Sequence, residues 1–274
     1  MPATAINGVQ IFWEIHGDIG EPVVLVHGSW GDHTNWAPIV PTLSRSFRVI
    51  SYDRRGHSRS ERPESQGSVR EDVADLAALL DFHGHSQAHI IGNSFGASIV
   101  LRLAAERPEL FRSLIVHEPP LFSLIAEDPA ARAALVTVQS RIAAVVDVLA
   151  TGDFARGARE FVETIAFGAG SWTALPQVIR DTFTFNAPTW LDEVQDPEAL
   201  SLDLGRLRNF AGPALLTTGE QSPPFFPLVV GRIAEVLPQA KRYTYAGAGH
   251  VPHLSHPEEY LDTVTSFIKR APKA

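Results

Sequence analysis

Gly92-Asn93-Ser94-Phe95-Gly96 follows the apolar run Ala88-His89-Ile90-Ile91 and leads into Ala97, Ile99, Val100, Leu101, Leu103, Ala104 and Ala105. The run before it reads as a buried strand, and the stretch after it as a helix. A chain that passes from strand to helix in so few residues must turn sharply at Ser94. Glycines on either side remove the β-carbons that such a turn would bring into collision. Ser94 then stands at the start of a helix, where unpaired N–H groups and the helix dipole favour negative charge. The plainer alternative is a serine that merely caps the helix. What the rest of the chain supplies decides between them.

Working outward, the same strand–helix alternation recurs. Asn7-Gly8 before Val9–Ile15 is a hairpin signal. Pro22–Val26 is a continuous apolar run of the kind buried on both faces, and Phe47–Tyr52 is a further strand. Trp36–Leu43 reads as a short helix, and Val69–Phe82 as a longer one with Val73, Leu76, Ala77 and Leu80 on one face. Leu114–His117, Pro213–Thr218 and Arg242–Tyr245 are strands, while Val229–Leu237 and Glu258–Lys269 are helices. This order predicts an α/β fold with a mainly parallel sheet and helices on both faces. The stretch from about 120 to 205 lacks strand alternation and reads as a helical insertion above the carboxyl ends of the strands, where open α/β folds bind ligands. Residues 1–119 and 206–274 are therefore expected to form the core domain and 120–205 a helical cap. The tail Ala271–Ala274 is expected to fray.

Composition narrows the function. In 274 residues, 45% are hydrophobic, enough for a large core. A net charge of −8 argues against nucleic acid or an anionic membrane as partner. With no cysteine, disulfides, thiolate metal sites and thiol catalysis are excluded. The N-terminus has no signal-peptide pattern and no apolar run is read as spanning a bilayer, so the expected location is the cytoplasm.

A serine hydroxyl needs a general base, an orienting carboxylate and donors for an oxyanion before it attacks a carbonyl. Ala246-Gly247-Ala248-Gly249-His250 follows the last strand, and its glycines let His250 reach a neighbouring strand tip, making it the expected base. His253 and His256, nearer the final helix, suit a capping role better. The expected oxyanion donors are the N–H of Phe95 and that of Ser29 in His27-Gly28-Ser29-Trp30, with Trp30 as the alternative to Ser29.

Taken together, His27–Trp30, Tyr52-Asp53-Arg54-Arg55-Gly56-His57-Ser58, the Ser94 turn and Gly249-His250 make the chain resemble an α/β-hydrolase from end to end. The resemblance implies an eight-stranded sheet, a chain order of serine, acid, histidine, a structural role for Asp53–Ser58, and no metal or cofactor. It also exposes a departure. Most members carry an aspartate after the strand that here spans Pro213–Thr218, and this chain has Gly219-Glu220-Gln221-Ser222, with Ser222 in the aspartate's place. Some relatives, among them haloalkane dehalogenases and certain serine lactonases, place the acid after the strand that follows the nucleophile's helix. There this chain has His117-Glu118-Pro119-Pro120. Glu118 is the expected acid and Glu220 the alternative.

The resemblance implies cleavage of a carboxylic ester or lactone through acyl-Ser94. Epoxide hydrolysis and dehalogenation are disfavoured, because those members use an aspartate nucleophile. Carbon–carbon bond hydrolases, lyases, acyltransferases and slow ligand receptors of the same fold remain alternatives. The insertion is rich in aromatics, and Trp30, Phe122, Trp172, Phe183 and Trp190 are candidate pocket residues for a small to medium, largely apolar substrate. A homodimer is a further expectation.

Overall fold

The structure, a computed structural model, describes residues 3–271. The last three positions of the expected frayed tail, 272–274, lie outside the described residues. The chain opens with a hairpin of β1 (Ala3–Ile6) and β2 (Val9–His16), closed by Asn7 (φ 47°) and Gly8 (φ 84°). Two consecutive left-handed residues give the turn whose twist matches that of the flanking strands. Next come β3 (Pro22–Val26), a helical turn at His33–Trp36, α1 (Val40–Leu43), β4 (Arg48–Tyr52) and α2 (Val69–Phe82). The single helix expected over Trp36–Leu43 is thus two short pieces. Ser68 begins α2 with a reciprocal cap: its hydroxyl accepts the Glu71 N–H, and the Glu71 carboxylate accepts the Ser68 N–H.

The central segment is β5 (Ala88–Asn93), α3 (Phe95–Glu106) and β6 (Phe111–His117). Helices then run without strands through α4 (Arg132–Ala150), α5 (Phe154–Phe161), α6 (Ser171–Ala174), α7 (Gln177–Gln195) and α8 (Leu204–Leu207). The core closes with β7 (Ala214–Gly219), α9 (Phe225–Val236), β8 (Lys241–Tyr245), α10 (Pro252–Ser255) and α11 (Pro257–Arg270). The α9 helix starts four residues earlier than its periodicity predicts, because Phe225 and Phe226 are themselves buried.

The eight strands lie in the order β1-β2-β4-β3-β5-β6-β7-β8. Pairings from β4 onward are parallel, and β1–β2 and β2–β4 are antiparallel. Val24, Val26, Ile90 and Leu114 pack into one core with α2, α3 and α9. Val23, Leu25, Ile91 and Ile115 pack into a second with α1 and α11. Each strand feeds both layers by the period-two alternation of its side chains, which is why these strands read as unbroken apolar runs.

One sequence expectation is corrected by α4. This 19-residue helix is, by length and composition, apolar enough to cross a membrane. Its alanines and valines raise its hydropathy without lengthening an uncharged run, since Arg141 and Asp147 interrupt it. Here Leu135, Val145, Val148 and Leu149 are buried, and the Arg141 guanidinium donates to the Thr164 carbonyl.

Candidate active site

The parallel strands end on one edge of the sheet, and five loops meet there. β5 ends at Asn93, paired with His117 of β6. Ser94 comes next with φ 55° and ψ −124°, a region costly for a residue with a β-carbon. The Ser94 N–H is held by the His117 carbonyl at 2.9 Å. A β-carbon on Gly92 would lie 2.6 Å from the Gly96 carbonyl oxygen, and one on Gly96 would lie 2.3 Å from that of Val26. Both glycines are therefore demanded by backbone packing. Phe95, the first residue of α3, has an N–H with no acceptor inside the helix.

The loop after β3 faces Ser94 from the other side: a β-carbon on Gly28 would stand 3.0 Å from Ser94 Cβ. The Gly28 carbonyl accepts from His27 Nδ1 at 2.8 Å and from Arg54 Nη1 at 3.4 Å. In a trans peptide the Ser29 N–H points opposite to that carbonyl, away from Arg54. His27 Nε2 accepts the Arg54 backbone N–H at 2.9 Å, so the ring is locked in one neutral tautomer. Burial, reinforced by the Arg54 charge, pulls the His27 pKa down to about 4. Trp30 follows with φ 68°.

Glu118 stands at the tip of β6, also left-handed at φ 46°, and is fully buried. Its Oε1 accepts the Gly219 N–H at 2.7 Å. Its Oε2 accepts the Ser222 hydroxyl at 2.9 Å and faces His250 Nδ1 at 2.7 Å. Burial pushes this carboxyl's pKa up, but the neighbouring His117 and His250 rings outweigh it and hold the group well below the usual carboxylate range. His250 is further fixed by Phe226, stacked on its ring at 4.6 Å and 17°, and by the Asn93 amide, which donates to its carbonyl at 3.1 Å. The Nε2 edge of the imidazole is the one left for another partner.

The other acidic candidate turns elsewhere. Glu220 accepts the Gly247 N–H at 2.8 Å, in the loop that carries His250, and is exposed. Ser222, in the position where an aspartate is usual, donates to Glu118 instead. Neither of the other terminal histidines caps α11 through its side chain: His256 occupies the N-cap position but bonds Ser255, and His253 is buried between Trp36 and Tyr260.

Of the candidate pocket residues, Trp30, Phe183 and Trp190 come together, but in a packed cluster. Trp30 is 1% exposed and stacks on Phe161 at 4.5 Å and Phe183 at 5.9 Å, with Trp190 at 5.1 Å. Trp172 packs at the edge of that cluster. Phe122 stands apart, edge-on to Phe225 at 5.0 Å, behind the Phe226 ring that covers His250.

One face of α7 carries contacts that sequence reading did not single out. Asn186 donates to the Trp30 and Gly31 carbonyls and accepts the Ser58 N–H at 2.8 Å. Thr189 pairs with His57 Nε2 at 3.0 Å. Buried Glu193 accepts the Ser29 hydroxyl at 2.5 Å and Arg54 Nη2 at 2.6 Å, and Arg54 also forms a fork with Asp72. Burial pushes Glu193's pKa up against the pull of Arg54. Residues 186, 189 and 193 share a helical face. The sequence carried little signal for them, since α7 also bears polar residues such as Arg180, Asp181 and Asp192 on its other faces.

This site and sheet place the chain in a family. The α/β-hydrolase fold model matches residues 21–257, and the chain belongs to that family. A pimeloyl-[acyl-carrier protein] methyl ester esterase from Aeromonas hydrophila is 27% identical over 270 residues, covering 91% of this chain and 96% of that protein. A 2-hydroxymuconate semialdehyde hydrolase from a Pseudomonas species is 40% identical over 101 residues, 35% of this chain and 36% of its own length. Other alignments are also local, spanning 43%, 30% and 45% of three curated relatives. Among solved structures, the enol-lactonase of Burkholderia xenovorans LB400 superposes with a TM-score of 0.80 at 21% identity, covering 98% of this chain and 100% of that one. That likeness is one of fold. The curated relatives include a methyl ester esterase, other hydrolases and an acetyltransferase component, and the solved structures of like fold include two lactone-degrading enzymes.

Proposed function

We propose that the chain is a serine hydrolase that cleaves a small carboxylic ester or lactone through an acyl-Ser94 intermediate. The observation that carries this reading is the 2.7 Å contact of His250 Nδ1 with buried Glu118, set beside a serine held in a strained turn. Glu118 fixes the proton on Nδ1, which leaves Nε2 as the lone-pair edge that accepts the Ser94 proton during attack. The carboxylate then stabilises the imidazolium. The Phe95 and Ser29 N–H groups receive the oxyanion, each worth roughly 3–4 kcal/mol by the usual cost of losing such a donor. His250 returns its proton to the leaving alcohol, and water repeats the sequence on the acyl-enzyme. Residues 120–205 act as the cap over a catalytic unit of 1–119 and 206–274. Glu193, through Ser29 and Arg54, ties cap to oxyanion loop. The Phe226 ring stacked on His250, and the esterase and lactonase among similar proteins, favour a small molecule with an apolar group beside the base as substrate.

A panel of chromogenic short-acyl esters and lactones, run with a fluorophosphonate label, tests the reading. Turnover and labelling are both expected, and both are expected to vanish in Ser94→Ala. Hydrolysis that survives in Ser94→Ala, or labelling without turnover of any ester or lactone, would refute it.

A further inference from the structure

His117 takes no part in the mechanism above, yet its ring sits against the acid. It is 1% exposed, and its Nε2 has no partner of hydrogen-bond geometry among the described residues. The nearest charged atom is Glu118 Oε2 at 3.4 Å. Glu118 Oε2 thus faces both His117 Nε2 and His250 Nδ1, and the ligand atoms of the three residues lie within 4.8 Å of one another. Two imidazole nitrogens and one carboxylate oxygen form a donor set suited to zinc. At zinc–ligand distances of about 2.0–2.1 Å, tetrahedral neighbours stand about 3.3 Å apart. The His117–Glu118 separation already has that length, and the His250–Glu118 contact would open by about 0.6 Å to match it.

We propose that His117, Glu118 and His250 form an inhibitory binding site for Zn2+, in which the ion takes the place of the proton between His250 and Glu118. Ligation at Nδ1 moves the His250 proton to Nε2, so the ring keeps one proton and stays neutral. That proton occupies the edge that would otherwise receive hydrogen from Ser94. His117 in turn binds through Nε2 and carries its proton on Nδ1, where Thr217 Oγ1 waits at 2.9 Å. The Thr217 hydroxyl can give its own hydrogen to the Val116 carbonyl at 3.2 Å, so an outer acceptor for the ligating histidine is already built. The fourth position falls to water or to Ser222 Oγ. The ion enters past His250, whose side chain is 28% exposed on the glycine-containing loop after β8. The loss of turnover rests on His250 acting as base; the binding itself does not.

The test therefore reads binding without turnover. The full-length Ser94→Ala protein is titrated with Zn2+ against a chromogenic chelator. One ion per chain is expected. Adding His117→Gln is expected to weaken binding at least tenfold, whereas adding His33→Gln, in the separate Asp32–His33–Asp53 cluster, leaves it within threefold. Should His117→Gln not fold, Thr217→Val removes the outer acceptor and is expected to weaken binding about tenfold or more. Nitrogen NMR of labelled histidine is expected to show the His250 proton on Nε2 in the zinc-bound form. No stoichiometric ion, or equal affinity after His117→Gln, would overturn the proposal. A failed ester screen leaves this titration standing, and an active esterase that binds no zinc overturns the inference alone.

Discussion

Glu118→Gln keeps the shape of the side chain and removes its charge, and the structure dictates how the amide will sit. The Gly219 N–H, 2.7 Å from Oε1, donates to an oxygen there and cannot pair with an NH2 group. The amide NH2 is thereby placed at the Oε2 position, facing His250 Nδ1 and the Ser222 hydroxyl. Facing a donor, Nδ1 must give up its proton, which moves to Nε2 and disables the base. Flipping the amide restores the tautomer but sets NH2 against the buried Gly219 N–H, at a cost of about 1–3 kcal/mol. That alone leaves the competent tautomer at roughly one part in five to one in 150. Losing the negative charge beside the imidazolium removes a further factor, and together kcat should fall about 10^3–10^4-fold, or roughly 4–5 kcal/mol. KM should change little, since Glu118 is fully buried. Glu220→Gln keeps a carbonyl for the Gly247 N–H and should alter kcat less than threefold. The assay is steady-state hydrolysis of the best ester of the panel, with thermal melts to confirm folding. More than a tenth of parental kcat in Glu118→Gln, or a large loss in Glu220→Gln, would break the assignment of the acid.

Two glycines separate close packing from mere conformational freedom. Gly96→Ala would place a β-carbon 2.3 Å from the Val26 oxygen and 2.5 Å from that of His27, and should destabilise by about 3 kcal/mol or more, whereas Gly231→Ala, in α9 with nothing within 4 Å, should stabilise by about 1 kcal/mol; urea denaturation reads both. His253 supplies an acid-sensitivity prediction. Burial pulls its pKa from 6.5 down to about 3, so the unfolded chain binds the extra proton; this stability is present above pH 6.5 and lost as pH falls toward 3. Between pH 6.5 and 4.5 the loss is roughly 2–3 kcal/mol. Between Trp36 and Tyr260 neither ring nitrogen has a partner among the described residues, so His253→Phe should flatten that pH dependence in urea titrations; parallel curves for the two proteins would contradict it.

What the sequence determined by itself was local. A serine between glycines, after an apolar run and before a helix, specifies its turn through contacts within a few residues, and Asn7-Gly8 specifies its hairpin the same way. Alternating strands and helices fixed the layering, because each apolar run must be covered on both faces. The acid could be narrowed in sequence only to two glutamates, each at a strand tip. Tertiary structure separated their contacts: β6 and β7 pair in a register that sets Glu118 between Gly219, Ser222 and His250, while Glu220 turns to the Gly247 N–H, and the proposed role of acid follows those contacts. The aromatic residues show the same limit. Their number announced an apolar cap, but whether a ring lines a pocket or fills a core depends on neighbours distant in the chain. Trp30 proved to be sealed by Phe161, Phe183 and Trp190. The buried contacts of Arg54 and His117 were invisible for the same reason, since a charge or an imidazole acquires its role from partners that folding brings from up to 139 residues away.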